Sequence, residues 1–262
     1  MTQMTEIVES VGAMTLRPIS EFGRFLVFIS DGLKRFFFPP LRWSLLVTQL
    51  EFVGTRSIGV VIMASIMIGA IFGFQLGEIF RMFGAEGLVG AAAGFTMAKE
   101  LAPVVSAMLV TGRAGSAMAA EIASMRVNEQ IDAMTVMAVN PISYLVAPRI
   151  AAAMIMLPLL SAVFVLVGVA SSYFIAVAFY NVDVGVFLQK IQWIINIPHV
   201  VDGLEKACVF GVLLATIGCY TGFYAGRGAK GVGEATTKAV VVSMLAILIS
   251  DFFVSFIQYK FK

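Results

Sequence analysis

Charge is what this chain has least of. Of 262 residues only 13% are charged, 60% are hydrophobic, and mean hydropathy is +0.94. A soluble domain carries roughly a quarter charged residues and under half apolar ones, so an ordinary soluble enzyme is excluded and the apolar excess must be solvated by lipid. One histidine and two cysteines leave no dedicated metal site and no disulfide framework. His199 follows Pro198 with no second ligand nearby. Cys208 and Cys219, about 16 Å apart along one helix, read as small hydrophobes. No G-x-x-x-x-G-K-[ST] phosphate loop occurs, so the chain itself is not expected to hydrolyse ATP and no catalytic residue is expected in it. Gly226, Gly228 and Gly231 spell G-x-G-x-x-G, yet an apolar helical stretch precedes them rather than a strand, and the match reads as accidental. A formal charge of +2 makes no case for nucleic acid. Met1 to Ile19 contains Glu6 and Glu9 and lacks the apolar core and cleavage site of a signal peptide. No internal repeat of the inverted-repeat transporter kind is visible.

What is present is a series of long uncharged runs. A helix rising 1.5 Å per residue needs about 20 residues to cross about 30 Å of hydrocarbon. Arg56 to Glu78 encloses 21 uncharged residues, Arg149 to Asp183 encloses 33, and Lys206 to Arg227 encloses 20. After Lys238 only Asp251 interrupts an apolar stretch until Lys260. Residues 87 to 111 are also apolar, but Lys99 and Glu100 sit at their middle and Pro103 follows, so this segment either spans or re-enters. The reading is an all-α integral membrane protein with about five spans, near 57–77, 87–111, 150–179, 207–226 and 239–259. Ahead of them, Phe22, Phe25, Leu26, Ile29, Leu33, Phe36 and Phe37 repeat at helical spacing opposite Arg24, Asp31, Lys34 and Arg35, and Pro39 and Pro40 end the run. This predicts an amphipathic helix in the membrane interface, and divides the chain into an N-terminal segment, 1–40, and a membrane domain, 41–262. With five spans, twelve basic residues fall with the N-terminus and the loops at 113–149 and 227–238, against five on the other side. The positive-inside rule places the N-terminus in the cytoplasm.

Three features invite a function. Small residues recur every fourth position at Gly69, Gly73 and Gly77, at Gly90 and Gly94, and at Gly218, Gly222 and Gly226, as in close helix packing within a bundle or along a dimer seam. Lys99, Glu100 and Asp251 are charges inside spans, each costing about 2.5 to 3.5 kcal/mol at a helix centre. They call for polar partners or a wet cavity, as a structural ion pair or as the lining of a substrate route. The loop from Gly112 to Arg149 predicts a short cytoplasmic helix over 119–134, with Ile122, Met125, Glu129 and Ala133 on one side, Arg126 and Gln130 beside them, and Glu121 and Asp132 adding negative charge. Such a helix suits docking into another protein's groove.

Within this region the run K-E-L-A-P-V-V-S-A-M-L-V-T-G-R-A-G-S-A-M-A-A-E-I-A-S-M-R-V-N-E-Q-I-D-A-M-T-V-M-A-V-N-P-I-S-Y-L-V-A-P-R, residues 99 to 149, resembles the signature of MlaE-type permeases of ATP-binding-cassette lipid transporters. Glu100, Pro103, Gly112-Arg113, Gly115-Ser116, Glu121, Met125, Glu129-Gln130, Pro141 and Pro148-Arg149 fall in register. The likeness extends more loosely from about 45 to 258. Ser124 replaces a common Gly, Asn140 a common Asp, and Glu234 a usual basic residue. The resemblance implies a homodimer in a bacterial inner membrane and a pair of cytoplasmic ATPases that bind ATP and magnesium, the chain itself holding no cofactor. It also implies an MCE-domain partner on the far side, a STAS-type regulator that often joins the ATPase, and phospholipid as substrate in maintaining outer-membrane lipid asymmetry. It would make 119–134 the coupling helix, with Glu121, Met125, Arg126 and Glu129 at the ATPase, and would set Lys99, Glu100 and Asp251 along the lipid pathway. Residues 180–206, with Phe187, Ile191, Trp193 and Ile194, would rest on the outer leaflet. The residues alone leave two alternatives: a stand-alone secondary transporter or channel using the intramembrane charges, and a non-transporting membrane anchor.

Overall fold

A computed structural model of the chain describes residues 20, 21, 23–34 and 43–261. Most of the N-terminal segment, with Phe22, Phe36 and Phe37 of the amphipathic stripe, lies outside the described residues. Among those described there is no strand. The helices are α1 (23–34), α2 (Trp43–Arg81), α3 (Glu86–Val127), α4 (Gln130–Val136), α5 (Ile142–Tyr180), α6 (Val184–Ile194), α7 (Ile197–Phe223) and α8 (Gly228–Phe261). Of these, α2, α3, α5 and α8 are long and apolar enough to cross a membrane. Residues 87–111 belong to one continuous helix, α3, rather than to a re-entrant hairpin. The fifth expected span, 207–226, falls on α7, which begins at Ile197. This helix carries Asp202, Glu205 and Lys206 in its first half; Glu205 is exposed, while Asp202 and Lys206 are buried where α7 packs against α3, α5 and α8.

The packing follows from where the small residues lie. α2 lies along α5, and a Cβ built on Gly69 would sit 2.3 Å from the Gly168 carbonyl, on Gly73 2.9 Å from Ile175, and on Gly77 2.3 Å from the Tyr180 ring. Only glycine admits this approach. Three hydrogen bonds join the same two helices: Ser65 Oγ donates to the Phe164 carbonyl (2.6 Å), Ser171 Oγ to that of Ile66 (2.8 Å) and the Tyr180 hydroxyl to that of Phe74 (3.0 Å). In lipid, where no hydrophobic drive brings helices together, close backbones and such bonds carry association. Gly218 and Gly222 of α7 rest on Gly115 and Ala119 of α3, and Gly90 and Gly94 admit Phe187 and Ile195. All these contacts lie within one chain.

Phe187 is thereby buried, its ring 5.1 Å from Tyr173. It anchors α6 to the bundle instead of facing a leaflet, whereas Trp193 is exposed with Lys190 over its ring. α6 begins where the Asp183 carboxylate accepts the Val186 N–H at 3.0 Å, satisfying an otherwise unpaired donor of the first turn. His199 Nδ1 accepts the Asn196 N–H at the start of α7, and its ring meets Phe95 edge-on. α1 turns Phe28 inward and sets Phe25 and Phe28 against Tyr220, 5.3 and 5.4 Å between ring centres, so part of its apolar stripe packs on the end of α7.

Candidate functional site

Pro103 shapes the centre of α3. It lacks the N–H that would bond the Lys99 carbonyl, and its ring crowds that oxygen. The chain widens into a π turn over Met97–Leu101, two residues before the proline. A second such pairing occurs at Ile142–Val146 ahead of Pro148. π turns of this kind are frequent where a helix must present side chains out of regular register, and the first one carries both Lys99 and Glu100.

Glu100 and Asp251 meet a residue that the charge spacing did not single out. Lys206 of α7 is fully buried, and its Nζ is paired with Glu100 Oε2 from α3 and lies 3.2 Å from Asp251 Oδ1 of α8. It also donates to Ser255 Oγ at 2.6 Å. One cation thus ties three helices together, and both acidic charges expected to need a partner have the same one. The Glu100 side chain keeps 41% of its surface exposed and that of Asp251 23%, so the cluster is sealed on the lysine side and open on the carboxylate side. Along α8, Gln258 Nε2 donates to the Asp202 carbonyl at 3.0 Å, a second polar tie between α7 and α8.

Lys99 does not join the cluster. Its Nζ lies 5.7 Å from the centre of the Phe95 ring, a cation–π contact on the neighbouring face of the π turn. In the sequence Lys206 marks only the boundary of an uncharged run. The available signal was charge balance, since two intramembrane carboxylates on different helices require a cation. Lys206 is also nine residues into its helix, hence about 14 Å from its start.

The segment expected to form one helix over 119–134 is divided. α3 continues to Val127, with Ala119, Ile122 and Ala123 buried against the bundle. Glu129 takes a left-handed backbone, φ 57°, and α4 starts at Gln130. The physical cause of the break is this conformation, which L residues rarely adopt. Glu121 is half-exposed and pairs at 2.8 Å with Arg149, which is buried and also donates to the Leu145 carbonyl at 2.7 Å. Arg126 pairs with Asp132 across the break at 2.5 Å. Met125, Glu121 and Arg149 line a cavity of about 180 Å³ with Leu45, Gln49 and Tyr144. Gly226 and Gly231 pack on one another in the turn before and at the start of α8, with no strand ahead of them. Glu234 pairs only loosely with Lys230, at 3.8 Å. No group of three His, Cys, Asp or Glu able to hold a metal occurs among the described residues.

A family model described as Permease MlaE matches residues 46–257. A probable ABC transporter permease protein of Rickettsia felis is 38% identical over 257 residues, covering 98% of this chain and 99% of that one. A protein of the same description from Synechocystis is 41% identical over 212 residues, 81% of each. The chloroplastic protein Trigalactosyldiacylglycerol 1 of Arabidopsis thaliana is 36% identical over 215 residues, 82% of this chain and 61% of its own length.

Proposed function

Since the chain belongs to the MlaE permease family, and is thereby the multi-pass, non-catalytic membrane component of an ABC transporter with an ATPase partner, we propose that it moves phospholipid. In this reading it lies in a bacterial inner membrane with its N-terminus in the cytoplasm and works as a homodimer between a pair of ATPases and an MCE-domain protein. A STAS-type regulator joins the ATPase, and the lipid exchange maintains the asymmetry of the outer membrane. The observation that carries the reading is the Lys206 cluster, an ion-paired centre sealed on one side and open at Glu100 and Asp251 in a bundle otherwise faced with Met, Phe and aliphatic side chains. A lipid with two apolar tails and a charged head suits a mostly apolar route with a few fixed charges. The chloroplast relative, whose name carries a galactolipid, supports a lipid substrate.

The chain does no covalent chemistry in this mechanism. The ATPase meets the end of α3 and α4, where Glu121, Met125, Arg126 and Glu129 lie. Because Glu121 holds buried Arg149 at the start of α5, a pull on the α3 end is transmitted directly to α5, and through Gly222 and Gly218 to α7. α7 carries Lys206, so movement of the cytoplasmic end reaches the charge cluster through packed helices.

The test is to tag the chain in cells expressing its native partners, purify it in mild detergent, and identify co-purifying proteins and lipids by mass spectrometry. An ATPase, an MCE protein and phospholipid together are expected. Recovery without any ATPase, together with nucleotide-independent transport, would move the reading to a stand-alone transporter.

A further inference from the structure

Two π turns face one another at the end of the membrane region nearest α4. Phe52 lies in the turn Glu51–Thr55 of α2, and Arg113, itself in the turn Thr111–Gly115 of α3, donates Nη1 to its carbonyl at 2.6 Å and to Ser57 Oγ at 3.0 Å. Its guanidinium lies 5.2 Å from the centre of the Phe52 ring. These partners are all neutral, and among the described residues no carboxylate stands within ion-pair distance of Arg113. Arg56 is exposed and immediately precedes Ser57, the residue whose hydroxyl Arg113 contacts. The nearby Glu51 reaches Arg56 only at 3.6 Å. Two guanidinium groups against one loosely held carboxylate leave an excess of positive charge on a half-exposed surface.

The depth of this excess is fixed by the sequence. Arg56 and Glu78 bracket 21 uncharged residues, which span about 32 Å along a helix, close to the roughly 30 Å of the hydrocarbon core. Arg56 therefore stands at headgroup level, and Arg113, bound to Ser57, stands beside it. On the hydrocarbon side of Arg56 the same face of α2 continues through Val60, Met63 and Met67, at helical spacings of four, three and four. With Gly59 and Ala64, all on this one helix, these line a shallow apolar trough of about 430 Å³ that is largely open to its surroundings. A cationic seat at headgroup depth opening onto a methionine-lined trough has the form of an amphiphile's binding site, and flexible methionine suits alkyl chains of varied shape.

We propose that Arg56, Arg113 and the Val60–Met67 face of α2 hold one anionic phospholipid, its phosphodiester on the two guanidinium groups and an acyl chain in the trough. This lipid is resident on the outside of the α2–α3 pair and separate from any molecule passing the Lys206 cluster. Planar guanidinium forks match phosphate oxygens and discriminate by charge. The site stands on its own geometry, whatever the chain transports.

The test uses the full chain reconstituted in nanodiscs of equal phosphatidylglycerol and phosphatidylcholine, released into the gas phase, with retained lipid counted by native mass spectrometry. Wild type is expected to retain one phosphatidylglycerol per chain in preference to phosphatidylcholine. Arg56→Gln, at an exposed position, is expected to cut that preference about tenfold, the loss of one charge-assisted contact. Met63→Trp, which fills the trough, is expected to lower retention of both lipids. Thermal melts control for folding. Equal retention in wild type and both variants would overturn the proposal. Displacement of the lipid by excess inorganic phosphate would assign the seat to free phosphate and overturn it too. A photo-crosslinker at Met63 that captures a second copy of the chain instead of lipid would show the trough to be a protein contact, with the same consequence.

Discussion

Replacing Lys206 by methionine tests whether one cation holds the centre of the bundle. The substitution keeps a side chain of similar length in a fully buried position and leaves the carboxylates of Glu100 and Asp251 without their shared partner. Removing one member of a buried ion pair costs about 3–5 kcal/mol, because the survivor stays charged and poorly solvated. Glu100 is 41% exposed and Asp251 23%, which lets solvent or headgroups relieve part of the penalty and places the expected cost near about 3 kcal/mol. For a chain of this size that corresponds to a fall in Tm of roughly 6–12 °C. The assay is a thermal melt in one detergent at one scan rate, since membrane proteins unfold irreversibly and their transitions depend on rate. Neutralising the acids in the same background, Lys206→Met with Glu100→Gln and Asp251→Asn, is expected to recover most of the loss, because a fully neutral cluster has no charge to strand. A single variant that melts with wild type, or a triple variant that melts below the single one, would refute the reasoning.

Three further outcomes are expected. Gly69→Ala places a methyl 2.3 Å from the Gly168 carbonyl and should cost about 1–3 kcal/mol, whereas Gly59→Ala meets nothing within 4 Å and should be neutral or stabilising by up to about 1 kcal/mol; parallel melts compare them. Glu121→Lys sets a cation against buried Arg149 and should reduce ATPase-coupled transport while the chain still inserts, so normal ATPase binding and transport by that variant would sink the coupling role. Asp183→Ala removes the cap of α6 at about 1 kcal/mol, read as faster amide exchange confined to the first turn of that helix.

The long helices were legible because lipid imposes one rule on every residue: a charge-free run of the right length must span. The glycine ridges were equally legible, since spacing of four defines a helix face, although only the structure shows that Gly69, Gly73 and Gly77 face α5. Charge spacing found Glu100 and Asp251 but not the lysine between them. A residue at the end of an uncharged run reads as a loop boundary, and nothing in the run reveals that α7 starts nine residues earlier at Ile197. Lys99, although adjacent to Glu100 in sequence, lies in the same π turn with its Nζ over the Phe95 ring. The division at Glu129 was hidden for a different reason, because a left-handed residue is announced by glycine or asparagine at that position and here glutamate adopts it. The family resemblance implied that Phe187 rests on the outer leaflet, whereas the vacancy that admits it into the bundle is created by Gly90, a residue of another helix.

The central claim is that ATP-driven motion moves phospholipid past a charge cluster centred on Lys206. Its most direct test is transfer of labelled phospholipid from proteoliposomes holding the chain with its ATPase to acceptor MCE protein, compared between wild type and the neutralised triple variant. The account predicts transfer that requires ATP in wild type and is lost in the triple variant despite its near-normal melt. Transfer that proceeds without nucleotide, or that the triple variant carries at the wild-type rate, would contradict it.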